Sequence, residues 1–347
     1  MLRYLTAGES HGRGLVAILE GLPAGIKIDG KFVNAELKRR QMGFGRGKRM
    51  QIEHDTALFV SGLKKSRTLG SPLAVLIENK DFSIEKLHKV LCPRPGHADL
   101  AGFLKYGFSD IRECLERASA RSTAATVGIG AVCKLFLKEF KISVASSVVS
   151  IGGAVSHEDR IKRIKQAIAD KDTLGGDFEI IAKNVPAGLG SYVQPDRRLD
   201  GRLAGAVMSI PGIKGVEIGL GFGYADKSGS VVHDPIYYSQ SRGYSRSTNN
   251  AGGIEGGISN GEDIVLSACM KPISTLMKPL DSVNVLTKRS SRAATERSDV
   301  CAVESAGVVA EAVCAYVLAD ALLEKFGTDS LADIRSNYRN YLKRIKK

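Results

Sequence analysis

Residues 299–326 read DVCAVESAGVVAEAVCAYVLADALLEKF, the core of the longest apolar segment in a chain of 347 residues. Val309, Val313, Tyr316 and Val317 share one helical face, Ser298 offers an N-cap and Gly327 a terminator, so the spacing predicts a long helix here. Glu304, Glu311 and Asp320 interrupt the run, and carboxylates at that spacing are costly in a bilayer. The helix is therefore expected inside a folded protein and not across a membrane. A second stretch, residues 119–140, SARSTAATVGIGAVCKLFLKEF, has the same texture, with Val132, Leu135, Phe136 and Phe140 as its apolar stripe. Both are rich in Ala, Ser, Gly and Val, which lets helices approach closely. Each follows an arginine-serine element (Arg117-Ala-Ser-Ala-Arg121-Ser and Arg297-Ser-Asp299) and ends in a turn bearing Phe, Lys and Glu. Two similar halves, an internal duplication, are the expectation.

Around these helices the periodicity suggests short strands at residues 14–19, 73–77, 144–151, 178–182, 216–220 and 264–270, several with period-two alternation. The pattern is α+β, without regular βαβ alternation. A hydrophobic content of 43% supports a well-buried core, and no Pro- or Ser-rich linker divides the chain. Residues 1–347 are read as one integrated domain, with residues 331–347 as a basic C-terminal helix or tail. No signal-peptide pattern opens the chain, since Glu9, His11 and Arg13 interrupt it early. The six cysteines form no C-x-x-C pair, which suits a reducing cytoplasm and argues against structural zinc, and no histidine pair has metal-ligand spacing. The expected location is cytoplasmic, and no protein-held metal is expected.

A net charge of +13 is compatible with nucleic acid, anionic lipid or an acidic small molecule, and its placement decides among them. One concentration runs from Lys38-Arg39-Arg40 through Gly43-Phe-Gly-Arg46-Gly-Lys-Arg49, where glycines let backbone approach an anion that guanidinium forks grip. Phe44 stands alone there, without the repeated units or aromatic clusters of RNA-binding loops, which favours a small anion. The other is the tail, residues 339–347, where Leu342 and Ile345 suggest a solvated amphipathic helix end. The 38 glycines cluster at 8–14, 43–47, 219–223 and 252–257, yet none spells a dinucleotide fingerprint or a P-loop.

Four constellations carry candidate chemistry. In Gly8-Glu-Ser-His11-Gly-Arg-Gly a glycine-flanked histidine is set to pass protons near neutral pH, or is a surface or capping residue. In Pro93-Arg-Pro-Gly96-His97-Ala-Asp99 the prolines either present a titratable group rigidly or make a tight turn in which His97 bonds backbone. At Arg297-Ser298-Asp299 the start of a long helix offers a phosphate site, or Asp299 caps the helix. Residues 247–259, STNNAGGIEGGIS, followed by Lys271-Pro-Ile-Ser-Thr275, suit a cofactor-lining loop or a long surface loop.

The chain resembles the chorismate synthase family. Gly8-Glu-Ser-His-Gly, Arg117-Ala-Ser-Ala-Arg-Ser-Thr and Arg297-Ser-Asp followed by Glu311-Ala-Val look like its three signature segments. Gly45-Arg-Gly-Lys-Arg-Met, Thr68-Leu-Gly-Ser-Pro, Arg94-Pro-Gly-His-Ala-Asp, Gly215-Val-Glu-Ile-Gly and Asn249-Asn-Ala-Gly-Gly-Ile also match, in the family's order over nearly the whole chain. The resemblance implies a β-α-β sandwich with helices between antiparallel sheets and internal pseudo-symmetry, assembled as a homotetramer. It implies a lyase that converts 5-enolpyruvylshikimate 3-phosphate to chorismate and phosphate by 1,4-anti elimination, the last step of the shikimate pathway, with reduced FMN and no net redox change.

Carried over motif by motif, His11 would protonate the departing phosphate, His97 would lie near the flavin N1/C2 edge, and Asp299 would act with flavin N5 in removing the C6 proton. Arg40, Arg46, Arg49, Arg121 and Arg297 would clamp the substrate's phosphate and two carboxylates. The flavin would rest on Arg117, Ala118, Ser119, Asn250, Ala251, Gly256, Lys271, Pro272, Ile273, Ser274, Thr275 and Arg297. Pro211-Gly212 stands where the family has an Asn-Ala or Pro-Ala pair, which puts that flavin contact in doubt. No added flavin-reductase segment is seen, so the reductant is expected from outside, as a separate flavin reductase or reductant. A basic RNA-binding protein and an NADPH-consuming flavin oxidoreductase, which would turn over NADP in proportion to product, are the competing classes. Neither nucleic acid nor membrane is expected as a partner of the lyase.

Overall fold

A computed structural model describes residues 1–47, 53–240, 243–296 and 298–345. Period-two alternation builds its sheets. In β2 (Gly14–Glu20) Leu15, Ala17 and Leu19 point inward, and in its neighbour β4 (Leu73–Glu78) Leu73, Val75 and Ile77 do the same. With β1 (Arg3–Ala7) and β3 (Leu58–Ser61) they form an antiparallel sheet of order β1-β2-β4-β3. A second antiparallel sheet joins β5 (Ser143–Ile151), β6 (Gly176–Lys183), β7 (Ile213–Ile218) and β8 (Ile264–Met270) in the order β5-β6-β8-β7. In each sheet the strands run first, second, fourth, third.

Eight helices of eight residues or more lie among the described residues: α1 (Gly30–Gln41), α2 (Asp99–Tyr106), α3 (Ile111–Ala118), α4 (Thr123–Lys138), α5 (His157–Ala169), α6 (Leu199–Met208), α7 (Val303–Phe326) and α8 (Leu331–Ile345). Helix α7 is apolar on every side and buried on nearly every side, as such a helix must be. It packs on the second sheet, α4 packs on the first, and the two helices pack on each other. The layers therefore run sheet, helix, helix, sheet. This is the expected β-α-β sandwich, and the repeated strand order bears out the pseudo-symmetry read from the two helices. Gly130 of α4 makes the helix crossing possible, because a Cβ at that position would overlap Ala312 of α7.

The element boundaries differ from expectation in instructive places. The helix expected over residues 299–326 begins at Val303, and Ala302 stands at its N-cap without a side-chain hydrogen bond. Ser298 is therefore not its cap, and Ser298 and Asp299 lie before the helix and outside it. The helix expected over 119–140 is interrupted at Ser119, whose backbone is extended (φ −65°, ψ 141°). Helix α3 ends there, a single 3-10 turn follows, and α4 starts at Thr123. The strand expected at 216–220 occupies Ile213–Ile218. Strands β1 and β3 went unread because both lie at sheet edges, where outward Leu5, Leu58 and Val60 blur the inward-outward alternation.

Candidate functional site

Helix α3 is the centre from which the site is built. Asp110 caps it by accepting from the Arg112 N–H, and its last turn carries Glu116 and Arg117. Arg117 donates to Gly8 O, Thr6 O and Thr6 Oγ1, tying the helix to the end of β1. The Glu116 carboxylate, 2% exposed, accepts from His11 Nδ1 at 2.9 and 3.0 Å and from the His11 backbone N–H at 2.7 Å. Burial by itself raises the Glu116 carboxyl, but the hydrogen bonds from the His11 ring and backbone outweigh it and hold it below its ordinary value. His11 is 17% exposed, so the turn presents it from a recess and not on the open surface the sequence suggested. Its Nε2 lies 4.0 Å from Asp81 Oδ2.

Asn79 stitches this turn to the next group. Its amide nitrogen donates to Glu9 O, Ser10 O and Gly12 O, while its oxygen accepts from Arg121 Nε at 2.9 Å. Arg121 is buried and pairs with Asp55 at 2.6 Å. Its other terminal nitrogen, Nη2, is buried and makes no hydrogen bond among the described residues, with Glu53 Oε2 at 3.8 Å. A buried guanidinium N–H without an acceptor is the feature expected where an anion is to be received. Arg40 differs. It is buried, and its donors go to Thr123 Oγ1, Asp55 and Ala120 O. Burial, outweighing the nearby Asp55, pushes it down to about 10. Arg40 thus braces α1 against α4 from within, where the sequence suggested a gripping residue.

Arg39, beside it, turns the other way and forks onto Glu311 of α7. The glycine segment after α1 leads instead to Asp299. Arg46 Nη1 lies 2.8 Å from Asp299 Oδ2, and the Gly47 N–H donates to Asp299 Oδ1 at 2.6 Å. Asp299 is therefore a receptor for this loop and not a helix cap. Arg49 and Arg297, both expected here, lie outside the described residues. Arg46 and Asp299 both act electrostatically on Arg40, as does Arg121, so this pair and the Arg121 group share one charged neighbourhood.

The Pro93–Asp99 motif makes a second buried centre. Asp99, fully buried, accepts from His97 Nδ1 at 2.5 Å and from Arg94 Nε and Nη2 at 2.8 and 3.0 Å. Burial opposes ionisation, but the His97 and Arg94 hydrogen bonds prevail and hold the Asp99 carboxyl far below its usual range. Arg94 continues to Thr275 Oγ1 at 2.7 Å, and Lys271 and Ser274 close on Gly96 O. The His97 turn and Lys271, Ser274 and Thr275 therefore interlock; Thr173 Oγ1 binds Ile273 O, and Pro272 lies against Gly175. Beside the turn opens a cavity of about 550 Å³, lined by Pro95, His97, Leu100, Leu104 and Val283. Helices α2 and α3 pack together, which joins the His97 centre to the His11 centre.

Other expected flavin contacts are divided by the second sheet. Lys271 follows the last residue of β8, and its N–H donates to Gly212 O at 2.9 Å, which brings Pro211-Gly212 to this end. Asn250 and Ala251 lie by the first residues of β8, where Gly252 approaches Val265. Six residues of strand separate the two ends by about 20 Å. Moreover, the N–H groups of Asn250 and Ala251 are taken by the Asp234 carboxylate, at 2.8 and 2.9 Å. Within one chain the structure thus brings Lys271–Thr275 to the His97 turn but not Asn250 or Ala251. Gly256 sits in the hairpin beyond them, with open space where a Cβ would be. Arg117, Ala118 and Ser119 close α3, with Ser119 Oγ accepting from the Arg121 N–H. Sequence reasoning missed Glu116, Asn79, Asp55 and Arg94. The signal for Arg94 and Asp99 stood in the quoted motif, flanking His97.

A family profile described as chorismate synthase matches residues 2–323. A protein of Thermoanaerobacter pseudethanolicus named chorismate synthase is 56% identical over 348 residues, covering 99% of each chain. One of Geobacter sulfurreducens with the same name is 51% identical over 391 residues, with full coverage of both. A solved structure titled "Crystal Structure of Chorismate Synthase" superposes with a TM-score of 0.83 at 42% identity, over 99% of this chain and 98% of that one.

Proposed function

The chain belongs to the chorismate synthase family, a lyase of chorismate and aromatic biosynthesis, and on that premise we propose that it converts 5-enolpyruvylshikimate 3-phosphate to chorismate and phosphate by 1,4-anti elimination with reduced FMN. The observation that carries this reading is the buried Arg121 Nη2 left without a hydrogen-bond acceptor beside the turn that holds His11. An anionic substrate completes that donor, and an imidazole within the same recess serves the oxygen that leaves.

In the proposed reaction the C–O bond to phosphate breaks and a hydrogen is lost from C6. His11 supplies a proton to the departing phosphate through its ring. Arg121, through Nη2, and Arg46 hold the substrate's anionic groups, joined by Arg49 and Arg297, while Arg40 keeps α1 in place. Asp299 accepts the C6 proton once Arg46 turns from it to the substrate. His97, fixed by Asp99, would be among the residues that hold the flavin. Residues that suit the flavin are Arg117, Ala118, Ser119, Lys271, Pro272, Ile273, Ser274, Thr275 and Arg297, with Gly212 adjacent. The fit rests on cations and hydroxyls gathered at Gly96 and on the cavity beside it. Reduced flavin, when bound, would supply electron density without net redox change, so reductant would be needed only catalytically and from a separate source. Asn250, Ala251 and Gly256 reach such a site only from another copy.

We take the chain as one unit because one buried cluster includes side chains from both sheets. We also propose a homotetramer in which a second copy covers the outer face of the first sheet. Outward Leu5 and Ile18 pair across strands, as do Val16 and Leu76, then Leu76 and Leu58, making an apolar surface on an otherwise +13 chain. The test is an anaerobic assay with the enolpyruvyl substrate and reduced FMN. Phosphate should appear in proportion to substrate while reductant is needed only catalytically. No release, with salt-sensitive RNA binding instead, overturns the reading, and stoichiometric NADPH consumption assigns a different enzyme class.

A further inference from the structure

Resting on the reading of His11 as the proton donor, we propose that Glu116 is its positioning residue: the carboxylate takes the backbone N–H and the Nδ1–H of His11, so that the proton passed to the departing phosphate is the one on Nε2. Oε1 and Oε2 lie 2.9 and 3.0 Å from Nδ1, and Oε2 also accepts the His11 backbone N–H at 2.7 Å. The Glu116 main chain adds a third tie, its carbonyl accepting from the Ser10 N–H at 2.9 Å. One residue thus fixes the backbone, the ring plane and the proton position of the residue it serves. Nε2 points away from Glu116, toward the side on which Asp81 stands at 4.0 Å.

A carboxylate suits this task because it presents only acceptors. Both of its oxygens accept, so it satisfies backbone N–H and ring N–H at once and stabilises positive charge arriving on the ring. A carboxamide has a single accepting oxygen. If that oxygen keeps the backbone N–H, its NH2 group faces Nδ1 and demands an unprotonated nitrogen there. The ring then carries its proton on Nε2 and cannot become doubly protonated without opposing two N–H groups. A carboxylate also meets Nδ1 of the second histidine, at Asp99, although there the backbone N–H goes to Arg94 O and Arg94 Nη2 lies 3.1 Å from the same nitrogen.

The experiment compares wild type, Glu116→Gln and Glu116→Asp as flavin-loaded enzymes, each with histidine labelled by 15N and the His11 signal identified by its loss in His11→Asn. Wild type should show Nδ1 protonated. In Glu116→Gln the signal should become that of an Nδ1 acceptor, kcat should fall about 100-fold or more with KM changed less than about threefold, and Glu116→Asp should recover most of the loss. An unprotonated Nδ1 in wild type overturns the proposal even if Glu116→Gln does not fold. So does Glu116→Gln with wild-type turnover and an unchanged signal. Full activity in His11→Asn instead removes the catalytic reading of His11, while the 15N measurement still reports on the Glu116 contact.

Discussion

Glu311 lies at the centre of the sandwich with no solvent exposure, and five donors converge on it: Arg39 Nη1 and Nη2, Lys134 Nζ, and the N–H and hydroxyl of Ser146. Glu311→Gln keeps the volume and removes the charge and one acceptor. Breaking a buried ion pair from one side costs about 3–5 kcal/mol, because the partner's charge remains without compensation. Glu36 still reaches both Lys134 and Arg39, and the Arg39 side chain is 42% exposed, so the lower end applies, about 3 kcal/mol. For a chain of 347 residues that corresponds to a fall in Tm of about 4 °C, measured by thermal unfolding at fixed chain concentration. The pH dependence has a definite sign. Burial raises the Glu311 carboxyl, but the Arg39 and Lys134 contacts bring it below its ordinary value. The stabilisation it contributes is therefore complete above the unfolded value near 4.5 and is lost as the pH falls through the lower folded value. Wild type and Glu311→Gln should differ by the full amount at pH 7 and converge as the pH falls through the lowered folded value. A loss under about 1 kcal/mol at pH 7, or a gap that stays constant into acid, would refute the assignment of Glu311 as an ionised hub.

Gly130→Ala should destabilise by about 1–3 kcal/mol through overpacking against Ala312, less up to about 1 kcal/mol returned by alanine's better helix propensity. An unchanged unfolding midpoint would show that α4 and α7 do not approach as described. Asp99→Asn should leave Arg94 buried without its ionic partner, costing about 3 kcal/mol in stability, and should weaken flavin binding because the His97 turn and Thr275 are both tied through Arg94. A flavin titration matching wild type would separate the two centres.

The sandwich was legible because its two middle helices are written in small apolar residues, with the carboxylates of α7 too frequent for a membrane. Inner strands such as β2, β6 and β8 were legible from alternation. Helices α1 and α5 were not, since each buries only a narrow stripe and is otherwise charged. His11, His97 and Asp299 stood in recognisable motifs, but their settings did not. Glu116, separated from His11 by more than a hundred residues, becomes its partner only because α3 packs against the end of β1, and no local pattern encodes that meeting. Arg40 illustrates the opposite limit: from sequence it is one cation in a basic run, and only burial shows that its donors are already used.

The repeated strand order means that the chain has two connections between a first and a second strand, and proton chemistry is expected of only one. In the first half that connection is the short turn bearing His11. In the second half it is residues 152–175, which include α5 and contain no histidine beyond His157 at the helix start. Ile164 of α5 presses on Gly45, and Leu174 bonds Val300 directly after Asp299. The second connection thus supports, from outside, the Gly45 loop and the backbone that follows Asp299. Asymmetry between the halves thus walls one side of the proposed site, and exchanging the two connections should remove the proposed proton donor and that wall together.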